Sequence, residues 1–370
     1  MDKQHLLRSI EVSGFRSIRD LKLSVSSLNV LIGQNGAGKS NFIELFRFLN
    51  EIINQRLQVY TGVKNGAEKL LHYGSKETKE IKINLHFPPN HYYITLIPAG
   101  EDRLLIEDEK AFYDTSWYAN AYSYKTITSG SSESKLQQYA KANQGISQYV
   151  VNVLSSWRVY HFHDTSAEAP VKKLADLNDV TYLRPDAGNL AAFLYYLQQK
   201  SPLHYDRIVS TIQLVLPFFK DFALRPNPYN EQKILLEWQD TGSDMRFNAG
   251  DLSDGSLRFI CLATLLLQPN LPSLILLDEP ELGLHPTALA LLAGLLKKAA
   301  SRTQVIVSTQ SVNLVNAFSP DDIIVVDREN ADGRPGSSTF RRLQTEELAT
   351  WLTEYSLGDL WEKNVIGGTP

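Results

Sequence analysis

The chain has 370 residues, 43% of them hydrophobic and 21% charged, with a formal net charge of −4. That balance is ordinary for a soluble globular protein of one large or two modest domains, and it gives no overall electrostatic case for nucleic acid, while a local basic patch stays open. The single cysteine, Cys261, rules out an internal disulfide, and its setting in "FICLATLLL" reads as a small buried hydrophobe rather than a reactive thiol.

The first residues lack an apolar signal core. The longest apolar runs fall short of the roughly 20 residues that a membrane helix needs, so a cytoplasmic protein with no membrane partner is expected. Residues 8–32 alternate as strands do, with Ile10 and Val12, then Leu21, Leu23 and Val25, facing one way. "LNVLI" is a short apolar strand ending at Gly33, and residues 41–53 carry Phe42, Leu45, Phe46 and Leu49 at helical spacing. Residues 61–80 look loop-like. "EIKINLHF", "HYYITLIPA" and "DRLLIEDEKAFY" read as strands of an antiparallel meander, and the polar residues 126–147 as a loop or a helix with little core to bury. Residues 189–200 predict a helix capped by Asn189, residues 204–219 a helix stopped by Pro217, and "KILLEWQ" (233–239) one strand. From residue 250 the pattern changes to helix (256–267), strand (273–277), helix (286–299), strand (304–308), helix (311–317) and strand (322–327). That alternation predicts a parallel sheet covered by helices. No internal repeat and no long heptad run is present, so no extended coiled-coil arm is expected.

Three stretches carry chemistry. "GQNGAGKS" (33–40) fits G-x-x-x-x-G-K-[ST] between a predicted strand and a predicted helix, which is the context that confirms such a motif. Gly33, Gln34, Asn35, Gly36, Ala37, Gly38, Lys39 and Ser40, with Asn41 after them, are therefore candidate nucleotide-binding residues. Gly36 and Gly38 let the backbone curl its N–H groups toward phosphate oxygens, Lys39 reaches the β- and γ-phosphates, and the Ser40 hydroxyl binds Mg²⁺. The bland alternative is a glycine-rich turn matching by chance. "SLILLDEPELGLHP" (273–286) is an apolar strand ending in two carboxylates that alternation aims apart. Asp278 is expected to hold Mg²⁺ through water, and Glu279 to polarise the water that attacks the γ-phosphate. "LSDGSLR" (252–258) places Ser253 and Gly255 before an apolar helix, either as a second anion site or as a simple N-cap. "YHFHD" (160–164) groups His161, His163 and Asp164; a metal or nuclease centre is one reading and an exposed polar strand edge the other.

These motifs, in this order, resemble ABC-type ATPases. "IEVSGFRSIRDLKLSVSSLNVLIGQNGAGKSNFIE" is similar to the SMC/RecF branch, and "LRPDAGNLAAFLYYL" and "YSLGDLWEKNVIGG" resemble bacterial predicted ATPases labelled "AAA family ATPase". The resemblance covers nearly the full length. It implies an α/β fold: an ABC-type P-loop ATPase head (residues 1–87 and 233–370), with a β-rich lobe I and a parallel sheet with helices. A mixed α/β insertion or helical arm (88–232) would replace a coiled coil. It implies ATP and Mg²⁺ as ligands and a head-to-head homodimer, with Ser253 and Gly255 reaching the partner's nucleotide in trans and Phe15 and Arg16 contacting the nucleotide from the N-terminal strands. Asp254 departs from the transporter-type signature glycine, so it should point away from phosphate or cap the helix. In this family the strand after the Walker B strand, which matches "SLILLDE" (273–279) here, ends "STHS", and its histidine contacts the γ-phosphate; here "STQS" puts Gln310 there. An amide donates a hydrogen bond but carries no proton, so Gln310 reads as an altered γ-phosphate sensor in slow or regulated hydrolysis, or as a polar strand end. His285, in the segment that crosses the dimer interface in such heads, reads as structural or communicating. The expected function is ATP hydrolysis in DNA maintenance or anti-phage defence with a partner effector, DNA staying open as a ligand. The alternatives are an ATP-dependent assembly switch with little turnover, or a nuclease at His161 and His163. The "GFRSI" start, the signature and the insertion argue against a transporter subunit.

Overall fold

The alternation at the N-terminus becomes a hairpin. Strands β1 (Ser9–Phe15) and β2 (Ile18–Ser24) bury Ile10, Val12, Leu21 and Leu23 on one face and are joined by a two-residue turn in which Arg16 takes a left-handed φ of 49°. The computed structural model describes residues 6–113, 123–143, 145–329 and 336–368. The chain forms two units, Met1–Trp157 with Ser319–Pro370, and Arg158–Phe318.

In the first unit, β3 (Leu28–Ile32) is buried throughout and feeds α1 (Lys39–Ile53), which is followed by α2 (Leu57–Val63). Strands β4 (Ile81–Phe87), β5 (Asn90–Ala99), β6 (Arg103–Tyr113) and β7 (Ser123–Thr128) form the meander read from the sequence. They share one antiparallel sheet with the first hairpin, in the order β2-β1-β4-β5-β6-β7. The boundary drawn after residue 87 thus falls in the turn of a hairpin paired from Ile81↔Leu96 to Phe87↔Asn90. The polar stretch resolves into α3 (Leu136–Asn143) and α4 (Ile146–Ser156). Two buried residues, Leu136 and Ala140, suffice for α3; the stripe of α4, Val150, Val153 and Leu154, lies beyond the polar run.

The second unit begins with β8 (Arg158–Tyr160), β9 (Ala175–Asp176), α5 (Leu190–Lys200) and α6 (Pro202–Val215), which stops before Pro217 as expected. Asn189 does not cap α5 with its side chain. Its amide instead ties the preceding loop, donating to the carbonyls of Asp179 and Tyr182 (2.8 Å each) and accepting from the Arg184 N–H (2.8 Å). Strands β10 (Phe219–Phe222), β11 (Pro226–Asn227), β12 (Asn230–Ile234), β13 (Glu237–Asp240) and β14 (Arg246–Asn248) follow. "KILLEWQ" is therefore two strands, β12 joining β11-β12-β9 and β13 joining β10-β13-β14. Then come α7 (Asp254–Leu267), β15 (Leu274–Asp278), α8 (Pro286–Ala300), β16 (Gln304–Ser308) and α9 (Val312–Val315). Strand β15 pairs in parallel with β8 on one side and β16 on the other, and its first four residues are buried.

The chain returns to the first unit with β17 (Ile323–Glu329) and β18 (Ser337–Arg342), then α10 (Thr345–Leu348) and α11 (Leu357–Glu362). Strand β17 pairs in parallel with β3 and antiparallel with β18. No helix among the described residues is long and apolar enough to cross a membrane.

Candidate functional site

In the first unit the loop from Gly33 to Lys39 needs three glycines for three reasons. All three have positive φ: 151° at Gly33, 81° at Gly36 and 123° at Gly38. A Cβ on Gly33 would collide with the Val326 carbonyl of β17, and one on Gly38 with the Ser338 hydroxyl of β18, whereas Gly36 faces open space and is required by its conformation alone. Lys39 is the first residue of α1 and is 5% exposed. Its ammonium donates to the carbonyls of Gly33 and Gln34, so the cation sits inside the curl it helps to hold. Gln34, Asn35, Gly36 and Ser40 are exposed. The first turn of α1 has neither a side-chain cap nor an acidic residue. The positive end of its dipole is thus not offset by a carboxylate, a setting that favours an anion.

A polar chain braces this loop. Asn41 accepts from the Arg16 guanidinium (3.4 Å) and donates to the Ser17 hydroxyl (2.7 Å). Ser338 lies 2.7 Å from Ser17 Oγ and donates to the Ala37 carbonyl at 2.5 Å. His72 Nδ1 donates to the Arg16 carbonyl (2.6 Å), while Arg16 Nε is buried with no hydrogen-bond partner. The Phe15 ring is fully buried and stacks on Phe48 of α1 at 5.3 Å, so of the two residues only Arg16 has a polar side chain beside this loop.

In the second unit three consecutive residues answer three carboxylates. Asp278 stands opposite Ser308 in the β15–β16 register, and the Ser308 hydroxyl donates to Asp278 Oδ1. Thr309 Oγ1 donates to Glu281 Oε1 at 2.5 Å, and the Gln310 N–H donates to the same oxygen at 2.8 Å. The Gln310 side-chain amide donates to Glu279 Oε1. Gln310, expected at a γ-phosphate, is here the partner of Glu279. Glu279 itself has a left-handed φ of 43°, and its N–H donates to the Ser308 carbonyl (2.9 Å). Glu281 was not singled out by sequence reasoning. It is buried, which pushes its pKa up against the hydrogen bonds from Thr309 and Gln310, and its Oε2 has no hydrogen-bond partner.

The signature residues lie at the start of α7. Ser253 is its N-cap, accepting from the Ser256 N–H at 3.2 Å, so the bland role is filled whatever else Ser253 does. Asp254 is exposed in the first turn, where a carboxylate complements the helix dipole. Gly255 packs so closely on the Walker B loop that a Cβ would strike the Gly283 carbonyl. Arg258 donates to the carbonyls of Leu282 and His163, both at 2.9 Å. His163 Nε2 contacts the Asp278 carbonyl at 2.8 Å, and the His161 ring lies 4.1 Å from that of His163. Among the described residues no group of three or more His, Cys, Asp or Glu is placed to hold a metal ion. His285 caps α8, accepting weakly from the Thr287 N–H at 3.4 Å. Cys261 is buried, which pushes its thiol up to about 12 and leaves it inert.

A glycine cradle with a lysine inside it, on a strand-to-helix turn, defines a P-loop protein. The fold is that of ABC-type SMC heads: a solved SMC head bound to the C-winged helix domain of ScpA superposes with a TM-score of 0.55, covering 92% of this chain and 99% of that one at 15% identity. The Smc head domain with an extended coiled coil from Pyrococcus furiosus, bound to the C-terminal domain of ScpA, gives 0.56, with 94% and 98% covered at 15% identity. The chain belongs to the family described as "AAA domain, putative AbiEii toxin, Type IV TA system", whose model matches residues 28–316. No curated protein matches it.

Proposed function

We propose that this protein binds ATP with Mg²⁺ and hydrolyses it to ADP and phosphate. The observation that supports this best is the pairing of Ser308, Gln310 and Thr309 with Asp278, Glu279 and Glu281, which gives three neighbouring carboxylates separate work. Lys39 and backbone N–H groups of the 33–40 loop take the phosphates. The Ser40 hydroxyl and Asp278 are hard oxygen donors of the kind Mg²⁺ prefers, and a bound Mg²⁺ would neutralise charge on the β- and γ-phosphates. Ser308 holds one Asp278 oxygen and leaves the other for this work. Glu279 accepts a proton from the attacking water as its oxygen bonds to the γ-phosphorus. The bond to the β–γ bridging oxygen breaks, and ADP leaves with that electron pair. Gln310 orients Glu279 and supplies a donor near the developing charge.

Turnover would open and close a head-to-head homodimer, with Ser253 and Gly255 acting in trans on the partner's nucleotide. The helical part of residues 88–232 would stand in for a coiled-coil arm. The pathway we infer is DNA maintenance or anti-phage defence in the cytoplasm with a partner effector, in keeping with the SMC-like fold. One observation favours a slower, switch-like variant. The Gln310 amide occupies a Glu279 oxygen and cannot exchange a proton as a histidine does, so ATP-held assembly would outlast each turnover. Sedimentation with ATP and Mg²⁺ tests the reading. Glu279→Gln is expected to accumulate as a dimer, and adding Ser253→Arg to return it to monomer. An oligomer indifferent to ATP and to both substitutions would count against the sandwich.

A further inference from the structure

The histidines of "YHFHD" have no part in the mechanism above, yet one of them touches its centre. Strand β8 pairs in parallel with the Walker B strand through Leu277↔Tyr160, so the residues just after β8 run alongside the residues just after β15. His163 is placed by this register, half-buried, with Nε2 2.8 Å from the Asp278 carbonyl oxygen. A carbonyl only accepts, so Nε2 carries the proton and donates, which a neutral imidazole does. That carbonyl belongs to the peptide whose N–H is that of Glu279, and this N–H is bonded on the other flank to the Ser308 carbonyl at 2.9 Å. The peptide joining the two carboxylate residues is thus held at both its polar ends, by elements from either side of β15. Glu279, immediately after it, has a φ of 43°, a conformation that a non-glycine residue keeps only where its surroundings impose it. The backbone of His163 is fixed in turn, because its own carbonyl accepts from Arg258 of the signature helix at 2.9 Å.

We infer that His163 is a positioning residue for the Asp278–Glu279 peptide: it holds the left-handed turn that aims the Glu279 carboxylate, and it is not a metal ligand of a nuclease centre. The inference rests on the ATPase reading for its kinetic consequence, but its structural content does not. Misplacing a catalytic group by about an ångström costs on the order of a hundredfold in rate. Substrate affinity should hardly change, since the His163 hydrogen bond to the carboxylate strand is to a backbone carbonyl.

The test uses the full chain and two variants, His163→Ala and His163→Gln, the latter keeping an N–H donor where Nε2 stands. Amide exchange followed by NMR without nucleotide reads the first consequence. The Glu279 N–H should exchange about tenfold faster or more in His163→Ala than in wild type, with the amides of α8 unchanged, and His163→Gln should restore most of the protection. Steady-state kinetics read the second: kcat should fall about ten- to a hundredfold in His163→Ala with KM for ATP within about twofold, and recover in His163→Gln. Unchanged Glu279 exchange in His163→Ala overturns the inference. So does an unchanged kcat in a chain whose wild type turns over. A wild type that hydrolyses no ATP overturns the ATPase reading, and exchange at Glu279 still decides the positioning role. Divalent-metal-dependent DNA cleavage lost in both variants would assign the ring to a metal and overturn the inference as well.

Discussion

Removing the Glu281 carboxyl should loosen the end of β16 and the carboxylate that Gln310 aims. Glu281 Oε1 accepts from Thr309 Oγ1 at 2.5 Å and from the Gln310 N–H at 2.8 Å, and Thr309 is fully buried. In Glu281→Ala both donors lose their acceptor. A buried donor left unsatisfied costs about 1–3 kcal/mol, so the pair costs about 2–6 kcal/mol, less whatever water can recover. The relief of burying an ionisable group, whose pKa burial has already raised, offsets part of that. A net loss of about 2–3 kcal/mol is expected, with a drop in hydrolysis of about tenfold, because the displaced Gln310 no longer orients Glu279. Glu281→Gln keeps a carbonyl oxygen for both donors and should retain most of the stability and rate. The sign of its pH dependence follows from the raised pKa. A carboxyl whose folded pKa lies above its unfolded value contributes stability that is fully present below the unfolded value and lost as pH rises through the folded one. Wild type should therefore lose stability relative to Glu281→Gln as pH rises above about 4.5, the ordinary value. Urea melts of the three proteins across pH, with phosphate release at each, would show this. If Glu281→Ala unfolds at the wild-type midpoint and turns over at the wild-type rate, the clasp is irrelevant and the reasoning fails.

Lys39→Ala should abolish ATP binding with the fold intact, because the phosphates lose their main side-chain counter-charge; equilibrium dialysis that finds wild-type affinity would reject the P-loop assignment. Gln310→Ala should slow hydrolysis on the order of tenfold, and Gln310→His should raise it, with ADP affinity nearly untouched in both, as single-turnover kinetics and an ADP titration would show. Burial pushes the Glu44 carboxyl up, but hydrogen bonds from Lys64 and Tyr60 and the charges of Lys64 and Arg47 outweigh that and hold it at about 2, against an ordinary 4.5. Its contribution, on the order of 3 kcal/mol, is present above the unfolded value and lost as pH falls toward about 2, so Glu44→Gln should be less stable at neutral pH and flatter in acid, by urea melts across that range.

What was legible in the sequence was local. The P-loop is contiguous and stands between a strand and a helix, so its residues and the rise of α1 could be named in advance. The reasons for Gly33 and Gly38 lie some three hundred residues away in Val326 and Ser338, and no local pattern points there. The helix-strand alternation after residue 250 announced parallel strands but not their register. Asp278 facing Ser308 is a register fact, and from it follow the Gln310–Glu279 pair and the role of Glu281. His163 was hidden for the same reason: a short edge strand places it beside Asp278, while the sequence offers only two histidines two apart. Leu235 and Leu236 looked like the middle of a strand because they are apolar. They form a corner between two sheets, with Leu236 buried.

Single-turnover phosphate release, with protein in excess of ATP and Mg²⁺ present and wild type run beside Glu279→Gln, separates hydrolysis from binding alone. Both should bind ATP with similar affinity, wild type should release phosphate, and Glu279→Gln should release it at least about a hundredfold more slowly, as removal of a general base requires. Equal release by the two proteins, or no ATP binding by wild type, would contradict the ATPase reading.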